Sequence, residues 1–214
     1  MDQENTYENK HVKYIYEEIA RHFNVTRVYR WSWVYEFLKN LTNDSTVYDL
    51  GCGNGVNMAN NFKNKNINFI GIDNCDEFIK ICKEKNLQIL KSDIIKIPLP
   101  DNSADVIICI AVIHHLSSYE NRLQALLEMK RLIKVDGKIL LSVWSIIQPI
   151  KTNRHFTNYG NNIVLWNKYG KIYERYYYIF KVDELKSLFK ICGLILLNHD
   201  YNYGNEIFTF TKIK

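Results

Sequence analysis

Three glycines between residues 51 and 55 form the part of the sequence best suited to binding a ligand. They lie in Asp49-Leu-Gly-Cys-Gly-Asn-Gly55, after the β-type run 45–48 and before a segment, 56–62, that can start a helix. Glycine has no Cβ, so the backbone of such a turn can approach a ligand closely and present its N–H groups and a helix N-terminus. We expect Gly51, Cys52, Gly53 and Gly55 to contact a cofactor.

Two acidic residues indicate which cofactor this is. Asp73 ends the next apolar run, about 20 residues beyond the glycines, where nucleotide-binding α/β folds hold a ribose diol. The GxGxG spacing lacks the third glycine of the dinucleotide fingerprint, and the absence of a following Gly-Lys-Ser/Thr excludes a P-loop. Asp49 would repel a pyrophosphate but suits a cationic ligand. The arrangement resembles the first motif of class I S-adenosylmethionine-dependent methyltransferases, which implies that cofactor.

A third segment extends the site that this resemblance implies. Ser92, Asp93 and Ile94 follow the third predicted strand, beside the expected adenine site. Asp93 can accept a hydrogen bond from the exocyclic amine, and Ile94 can pack on the ring. We also place Asn74, which follows Asp73, in the cofactor site.

The fourth predicted strand, 104–111, runs through Ile110 and Ala111 into His114 and His115. This end should face the sulfonium, so we assign Ile110 and Ala111 to the cofactor and expect His114 to border the reaction centre. No third residue at metal-ligand spacing accompanies the histidines, and we predict no metal.

Apolar runs and helical segments alternate, which predicts an α/β fold with a doubly wound, mainly parallel sheet. The predicted helices are 7–22, 31–40, one capped by Asn74, 121–132 and 182–192; the predicted strands are 46–50, 67–72, 87–91, 104–111, 137–144, 194–197 and 207–210. With an antiparallel last strand, this is the seven-stranded, Rossmann-like sheet of class I methyltransferases. We predict one domain over 1–214: N-terminal helices (1–44), a cofactor-binding half (45–144), a substrate-side insertion (145–180) and a C-terminal helix with strands (181–214). The polar part of the insertion, 145–172, is expected to act as a lid.

Composition favours a globular protein, with 47% hydrophobic and 24% charged residues in 214. Five cysteines without a CxxC pair indicate a reducing, cytoplasmic location, and no apolar run approaches the roughly 18 residues of a membrane span. The segment 151–190 carries eight basic and three acidic residues, a net charge equal to the +5 of the whole chain. This concentration favours a surface that faces nucleic acid over an ordinary solvated face.

A narrower resemblance covers nearly the whole chain. The segments that carry it are His11–Phe23, Thr26-Arg27 with Trp31, Asp49–Gly55, Ile110–Ser117, Val143-Trp144 with Gln148, Val164–Trp166, Glu174–Phe180 and Asp183–Leu185. They are similar to segments of the eukaryotic tRNA wobble-uridine carboxymethyl methyltransferases. The sequence departs from that family at Val28-Tyr-Arg30, in place of aromatic-Lys-Pro, at Tyr178, in place of histidine, and at 203–208, where tryptophans are missing.

The resemblance implies methylation of the carboxylate of 5-carboxymethyluridine in the tRNA anticodon loop, with S-adenosylhomocysteine as the second product. This carboxylate is ionised at neutral pH, so the enzyme needs alignment and water exclusion rather than a strong base. Guanidinium groups can hold it with paired hydrogen bonds. We therefore assign the catalytic centre to Arg27, His114, Arg175 and Tyr177, and base stacking to Trp144, Trp166 and Tyr176.

Two other functions are compatible with the cofactor half. A small-molecule methyltransferase, acting on a quinone precursor or a fatty acid, would not need the basic segment 151–190. A non-catalytic RNA-binding subunit would not need the intact acids and glycines.

The resemblance also implies a partner, a small zinc-binding activator protein that adds a strand to a sheet edge. The predicted edge is the strand 87–91, where Leu87, Ile89 and Leu90 are apolar. These side chains would equally suit ordinary core packing.

Overall fold

The computed structural model describes residues 7–58, 65–152 and 154–213, and these residues form nine strands. They are β1 (Thr46–Leu50), β2 (Asn68–Asp73), β3 (Ile89–Lys91), β4 (Ala104–Ile110), β5 (Ile133–Trp144), β6 (Gly160–Lys168), β7 (Lys171–Ile179), β8 (Ile195–Asn202) and β9 (Asn205–Thr211). Seven of them form a sheet in the order β3-β2-β1-β4-β5-β9-β8, and β6 and β7 form a separate hairpin. The neighbours from β3 to β5 are parallel, whereas β9 is antiparallel to β5 and β8. The predicted fold class is confirmed.

Helices cover both faces of the sheet. They are α1 (Tyr14–Thr26), which follows a π-helical turn at Asn9–Lys13, α2 (Ser32–Lys39), α3 (Asp76–Glu84), α4 (Tyr119–Leu132) and α5 (Val182–Ile191). The largest core packs α4 and α5 against the sheet, and a second core packs α2 against β1, β4 and β5. The central strand β4 therefore reads as a continuous apolar run, because both of its faces are buried. No helix in the described ranges has the length and apolar character needed to cross a membrane.

The predicted cap of α3 is wrong. α3 begins at Asp76 with Cys75 at the N-cap position and no side-chain cap, and the Asn74 amide donates instead to Asp93. The first free N–H groups of the helix, those of Asp76 and Glu77, donate to the carboxylate of Glu17 on α1. A partner from a distant helix thus supplies the cap that the local pattern assigned to Asn74.

The segment predicted as a polar lid ends in regular structure. β6 and β7 pair in antiparallel register, with Trp166 opposite Tyr173. These two rings pack on Ile15 and Ile19 of α1. The hairpin is therefore fixed to the N-terminal helix, and the alternation of β7 turns Arg175 toward the same face as Tyr173.

The remaining differences concern element ends. β3 is shorter than predicted, whereas β5, β8 and β9 are longer, and α1 begins and ends later than the predicted helix 7–22. The helix expected after the glycines is a short 3-10 turn at Val56–Met58, and the rest of that prediction, residues 59–62, lies outside the described residues. β3 is the first strand in the sheet order, which confirms that it lies at an edge.

Candidate active site

A cavity of about 680 Å³ opens at the carboxyl ends of β1, β2 and β4, under α1 and beside β7. Parallel strands bring their carboxyl ends to one edge of a sheet, so residues from distant parts of the sequence meet there. Ten of the twelve predicted cofactor residues line it; the exceptions are Asp49 and Gly55. All four predicted catalytic residues line it, as does Trp144, but Trp166 and Tyr176 do not.

The glycine turn needs glycine at two positions. Gly51 has a φ of +68°, and a Cβ there would lie 2.5 Å from the Val112 side chain. Gly55 has a φ of +74°, and its Cβ would clash with the Leu87 side chain. At both positions a positive φ and a lack of space exclude a Cβ: Gly51 allows the turn to pack against Val112 at the cavity, and Gly55 allows it to pack against the segment after α3. The prediction that Gly55 contacts the cofactor is not matched by its position.

Asp73 ties the turn to the end of β2. One carboxylate oxygen accepts the Gly53 N–H at 2.8 Å, and the other accepts the Cys75 N–H at 3.0 Å. Burial raises the pKa of Asp73, against these backbone hydrogen bonds. The two carboxylate oxygens have about four acceptor positions between them, so Asp73 can still accept a hydrogen bond from a ribose diol at the cavity wall.

Asp49 lies behind the turn, where it is 1% exposed. One of its carboxylate oxygens has no hydrogen-bond partner among the residues that the structure describes. Burial raises the pKa of Asp49 to about 7, against a hydrogen bond from Asn57 and the charge of Arg30. Asp49 is therefore a buried acid that a nearby cation would stabilise in its ionised form.

The far wall of this end carries the remaining predicted cofactor residues. Asp93 accepts a hydrogen bond from the Asn74 amide at 3.1 Å, and Ile94 is buried beside it. Ser92 donates to the Lys96 carbonyl oxygen at 2.8 Å, which folds the loop after β3. Asp93 and Ile94 thus combine a polar acceptor and an apolar surface, as an adenine ring requires.

The opposite end of the cavity is cationic, with Arg27, Arg154 and Arg175 in its wall. None of the three forms an ion pair with a carboxylate within the described ranges. Burial lowers the pKa of Arg27, and the neighbouring Arg175 lowers it further. Burial also lowers the pKa of Arg154. Three guanidinium groups without a counter-ion make this end a site for an anion.

Arg175 is the most deeply placed of the three. It is 5% exposed, and its Nη1 donates to the Tyr177 hydroxyl oxygen at 2.7 Å. Its guanidinium lies 4.7 Å from the centre of the Trp166 ring, and that of Arg27 lies 5.6 Å from the same ring. Trp166 therefore supports both arginines from behind instead of stacking on a substrate, because its buried ring faces α1 and its N–H donates to His22.

Trp144 has both of its faces covered. On one side its ring stacks on Tyr177, with centroids 4.2 Å apart and planes 10° apart. On the other side the Arg154 guanidinium lies 4.3 Å from the ring centre. A base can stack on Trp144 in the predicted manner only after Arg154 has moved away.

Tyr176 lies on the wrong face of β7 for the predicted role. Successive side chains of a strand point to opposite faces, so Tyr176 cannot share a face with Arg175 and Tyr177. Its hydroxyl donates to Asn161 at 2.7 Å, and its ring meets the edge of Tyr7. Tyr178 shares this face, which points away from the cavity, and there it covers the Arg122 guanidinium and donates to Glu184. The departure from the family at Tyr178 therefore lies outside the cavity wall.

His114 is fully buried, and its Nδ1 accepts the backbone N–H of Trp144 at 3.1 Å. Burial holds the pKa of His114 well below its usual range, and the neighbouring His115 lowers it further. The neutral ring therefore carries its proton on Nε2, which has no described partner. His114 can donate this hydrogen to an oxygen atom in the cavity but cannot act as an acid at neutral pH.

Sequence reasoning missed Tyr16 and Arg154, which both line the cavity. Tyr16 looked like an ordinary member of the apolar face of a helix, and Arg154 was only one of eight cations in a basic segment. No local pattern distinguishes either residue.

No three His, Cys, Asp or Glu side chains of the described residues are grouped so that they could hold a metal ion.

Comparison with known proteins is consistent with this site. A family model described as "Methyltransferase domain" matches residues 48–141. The tRNA (carboxymethyluridine(34)-5-O)-methyltransferase of Schizosaccharomyces pombe is 34% identical over 93% of this chain and 95% of its own length. Its counterpart in Mus musculus, named ALKBH8, is 41% identical over 69% of this chain. The match spans only 22% of that longer protein.

Solved structures share the fold at low identity. A Burkholderia thailandensis 1,6-didemethyltoxoflavin-N1-methyltransferase, solved with S-adenosylhomocysteine, has a TM-score of 0.71 at 13% identity and covers 100% of this chain and 92% of its own. A complex of the Haloferax volcanii Trm112 methyltransferase activator with a methyltransferase gives 0.67 at 15%, covering 95% and 98%. At these identities the likeness concerns the fold alone.

Proposed function

This chain belongs to the tRNA (carboxymethyluridine(34)-5-O)-methyltransferase family and is an S-adenosylmethionine-dependent methyltransferase, and we propose that it methylates the carboxylate of 5-carboxymethyluridine at the tRNA wobble position. The observation that carries this proposal is the division of charge within one cavity. At one end the buried Asp73 lines the wall, with the buried Asp49 behind it under the charge of Arg30; three arginines without a carboxylate partner in the described ranges lie at the other end. A cationic cofactor and an anionic substrate match these two ends.

The residues at the acidic end fit the cofactor. Asp73 keeps acceptor positions for a ribose diol, Asp93 and Ile94 suit adenine, and the orphan oxygen of Asp49 suits a nearby positive charge. When bound, S-adenosylmethionine supplies an electrophilic methyl group on its sulfonium. The backbone of Gly51 and Gly53 gives the close approach that a cofactor of this size needs.

The arginine end supplies alignment rather than proton transfer. Arg175 can hold the substrate carboxylate through paired hydrogen bonds, and Arg27 lies nearer the solvent, where a backbone phosphate would enter. His114 can donate its Nε2 hydrogen to the same carboxylate. Arg175, Tyr177 and His114 are each at most 5% exposed, so a carboxylate bound against them would have little contact with bulk water.

The free edge of β3 is the observation that supports binding of a partner protein. β3 pairs with β2 and has no strand on its other side within the part of the chain that the structure describes. Leu87, Ile89 and Leu90 are only partly buried there. We place a small zinc-binding activator of the Trm112 type on this edge, where it would add a strand and cover these side chains.

Co-expression with such an activator tests this assignment. The chain alone should be poorly soluble or weakly active, and the activator should restore both properties. A fully active, monodisperse isolated chain would remove the need for the partner.

The five described cysteines are free and buried, which supports a reducing compartment, and we place the protein in the cytoplasm.

Mass spectrometry of tRNA nucleosides tests the reaction itself. Incubation of the chain and its activator with S-adenosylmethionine and tRNA carrying 5-carboxymethyluridine should convert that nucleoside to its methyl ester. An equal amount of S-adenosylhomocysteine should form. Cofactor turnover on a small carboxylic acid, with no change in the tRNA nucleoside, would favour the small-molecule alternative.

A further inference from the structure

Tyr16 of α1 joins a chain of hydrogen bonds that ends at Arg175. Its hydroxyl lies 2.9 Å from His115 Nε2 and 3.3 Å from the Tyr177 hydroxyl. His115 Nδ1 lies 2.9 Å from the Tyr176 carbonyl oxygen. At the other end, Arg175 Nη1 donates to the Tyr177 oxygen at 2.7 Å. The chain thus connects three separate elements: α1, the turn after β4, and β7.

The direction of every hydrogen in this chain follows from its two ends. The Tyr176 carbonyl can only accept, so His115 carries its proton on Nδ1. Burial lowers the pKa of His115 to about 3, so the ring is neutral and Nε2 accepts from the Tyr16 hydroxyl. Tyr16 has then used its one hydrogen, and Tyr177 must donate to Tyr16.

Both phenol oxygens consequently face Arg175 as acceptors. Arg175 Nη1 lies 2.7 Å from the Tyr177 oxygen and 3.5 Å from that of Tyr16. These partners are neutral, so they orient the guanidinium without neutralising its charge, as a carboxylate would. The Arg175 side chain therefore stays available for an anion in the cavity.

We propose that Tyr16 is a positioning residue that acts through Tyr177 and His115 to hold Arg175 in place for the anionic substrate. This inference rests on the proposed function, because it assigns the substrate carboxylate to Arg175. Tyr16 also packs edge-on against His115, with ring centroids 5.1 Å apart, and it lines the cavity. Phenylalanine at this position would keep that packing and remove only the hydroxyl.

A double-mutant cycle tests the proposal in the complex with the activator. Tyr16→Phe should lower kcat/KM for carboxymethyluridine tRNA about tenfold, the effect expected of one hydrogen bond, while cofactor affinity stays unchanged. In an Arg175→Ala background the same change should have no further effect, because Tyr16 would have nothing left to position. His115→Asn, which breaks the chain one link further away, should likewise add nothing to Tyr16→Phe.

Tyr173→Phe is the matched control for lost stability. Tyr173 lies on the same face of β7, is 6% exposed and donates its hydroxyl to Glu18 of α1 at 3.1 Å, yet it does not line the cavity. Its loss should shift Tm as Tyr16→Phe does and leave kcat/KM near the wild-type value.

Two results would overturn the inference. They are an equal loss from Tyr16→Phe with and without Arg175, and the same activity for Tyr16→Phe as for Tyr173→Phe. Full activity of Arg175→Ala alone would be a different failure, because it would remove the proposed substrate clamp itself.

Discussion

The two ends of the cavity are built in different ways. At the acidic end, Asp73 and the glycine turn are fixed by backbone hydrogen bonds within a continuous stretch of about 25 residues, typical of a strand–turn–helix unit. At the arginine end, Arg27, Arg154 and Arg175 come from three distant segments and are held by aromatic rings and phenols. The first arrangement makes a rigid cofactor site. The second makes a cationic surface whose charge is not neutralised by a carboxylate of the described residues. Substitutions at one end should therefore leave binding at the other end nearly unchanged.

Arg175→Ala should have the largest effect. Loss of a paired contact to a carboxylate costs about 2–4 kcal/mol, which corresponds to tens- to several-hundredfold in kcat/KM for tRNA. Calorimetry should show nearly unchanged affinity for S-adenosylmethionine. Arg175→Lys should recover only part of the activity, since an ammonium keeps the charge but not the fork. Wild-type methylation by the alanine variant would place the clamp elsewhere, with Arg27 as the first candidate.

Asp73→Ala should have the opposite effect, weakening cofactor binding and leaving tRNA binding in place. The ribose would lose a charged acceptor worth roughly 1.5–3 kcal/mol, and Gly53 and Cys75 would lose their backbone anchor. Affinity for S-adenosylmethionine should fall by at least tenfold in calorimetry, while binding of tRNA without cofactor should persist. Unchanged cofactor affinity in a folded variant would move Asp73 out of the site.

The raised pKa of Asp49 predicts that cofactor binding depends on pH. With a pKa of about 7 in the free protein, the carboxyl is protonated below that pH and ionised above it. A cation favours the ionised form, so cofactor affinity should rise with pH through 7, by up to about tenfold per unit on the acid side. Asp49→Asn should bind more weakly and lose this dependence between pH 6 and 8. An identical pH profile in the variant would assign the titration to another group.

Tyr176→Phe should have the smallest effect, although its neighbour lines the cavity. The variant loses one hydrogen bond to Asn161, on the face of the hairpin that points away from the cavity, worth about 1 kcal/mol of stability. Thermal unfolding should register this loss, whereas kcat/KM should stay within about twofold of wild type. A large loss of activity would mean that the two faces of β7 are coupled more tightly than their side chains indicate.

The sequence predicted the acidic end and the sheet more completely than the arginine end. Strand ends and glycine turns are local patterns with fixed spacing, and Gly51, Asp73 and Asp93 lie where those patterns place them. Tyr16 and Arg154 depend on how α1 and the loop after β5 pack on the hairpin, and spacing along the chain carries no information about that packing. The predicted stacking roles of Trp166 and Tyr176 do not fit the structure for a related reason. An aromatic residue in a strand can contact a substrate only if it lies on the face toward the cavity, and that face depends on the register of β6 with β7.

The most direct test of the divided cavity is to compare the binding of two anticodon stem-loops to the cofactor-loaded complex. One would carry carboxymethyluridine, and the other would carry its neutral amide, carbamoylmethyluridine, of nearly the same shape. Wild type should bind the carboxylate at least about tenfold more tightly, as expected for a charge-assisted hydrogen bond, and Arg175→Ala should lose that preference. Equal affinity of the wild type for both stem-loops would contradict the claim that the arginine end recognises the substrate by its charge.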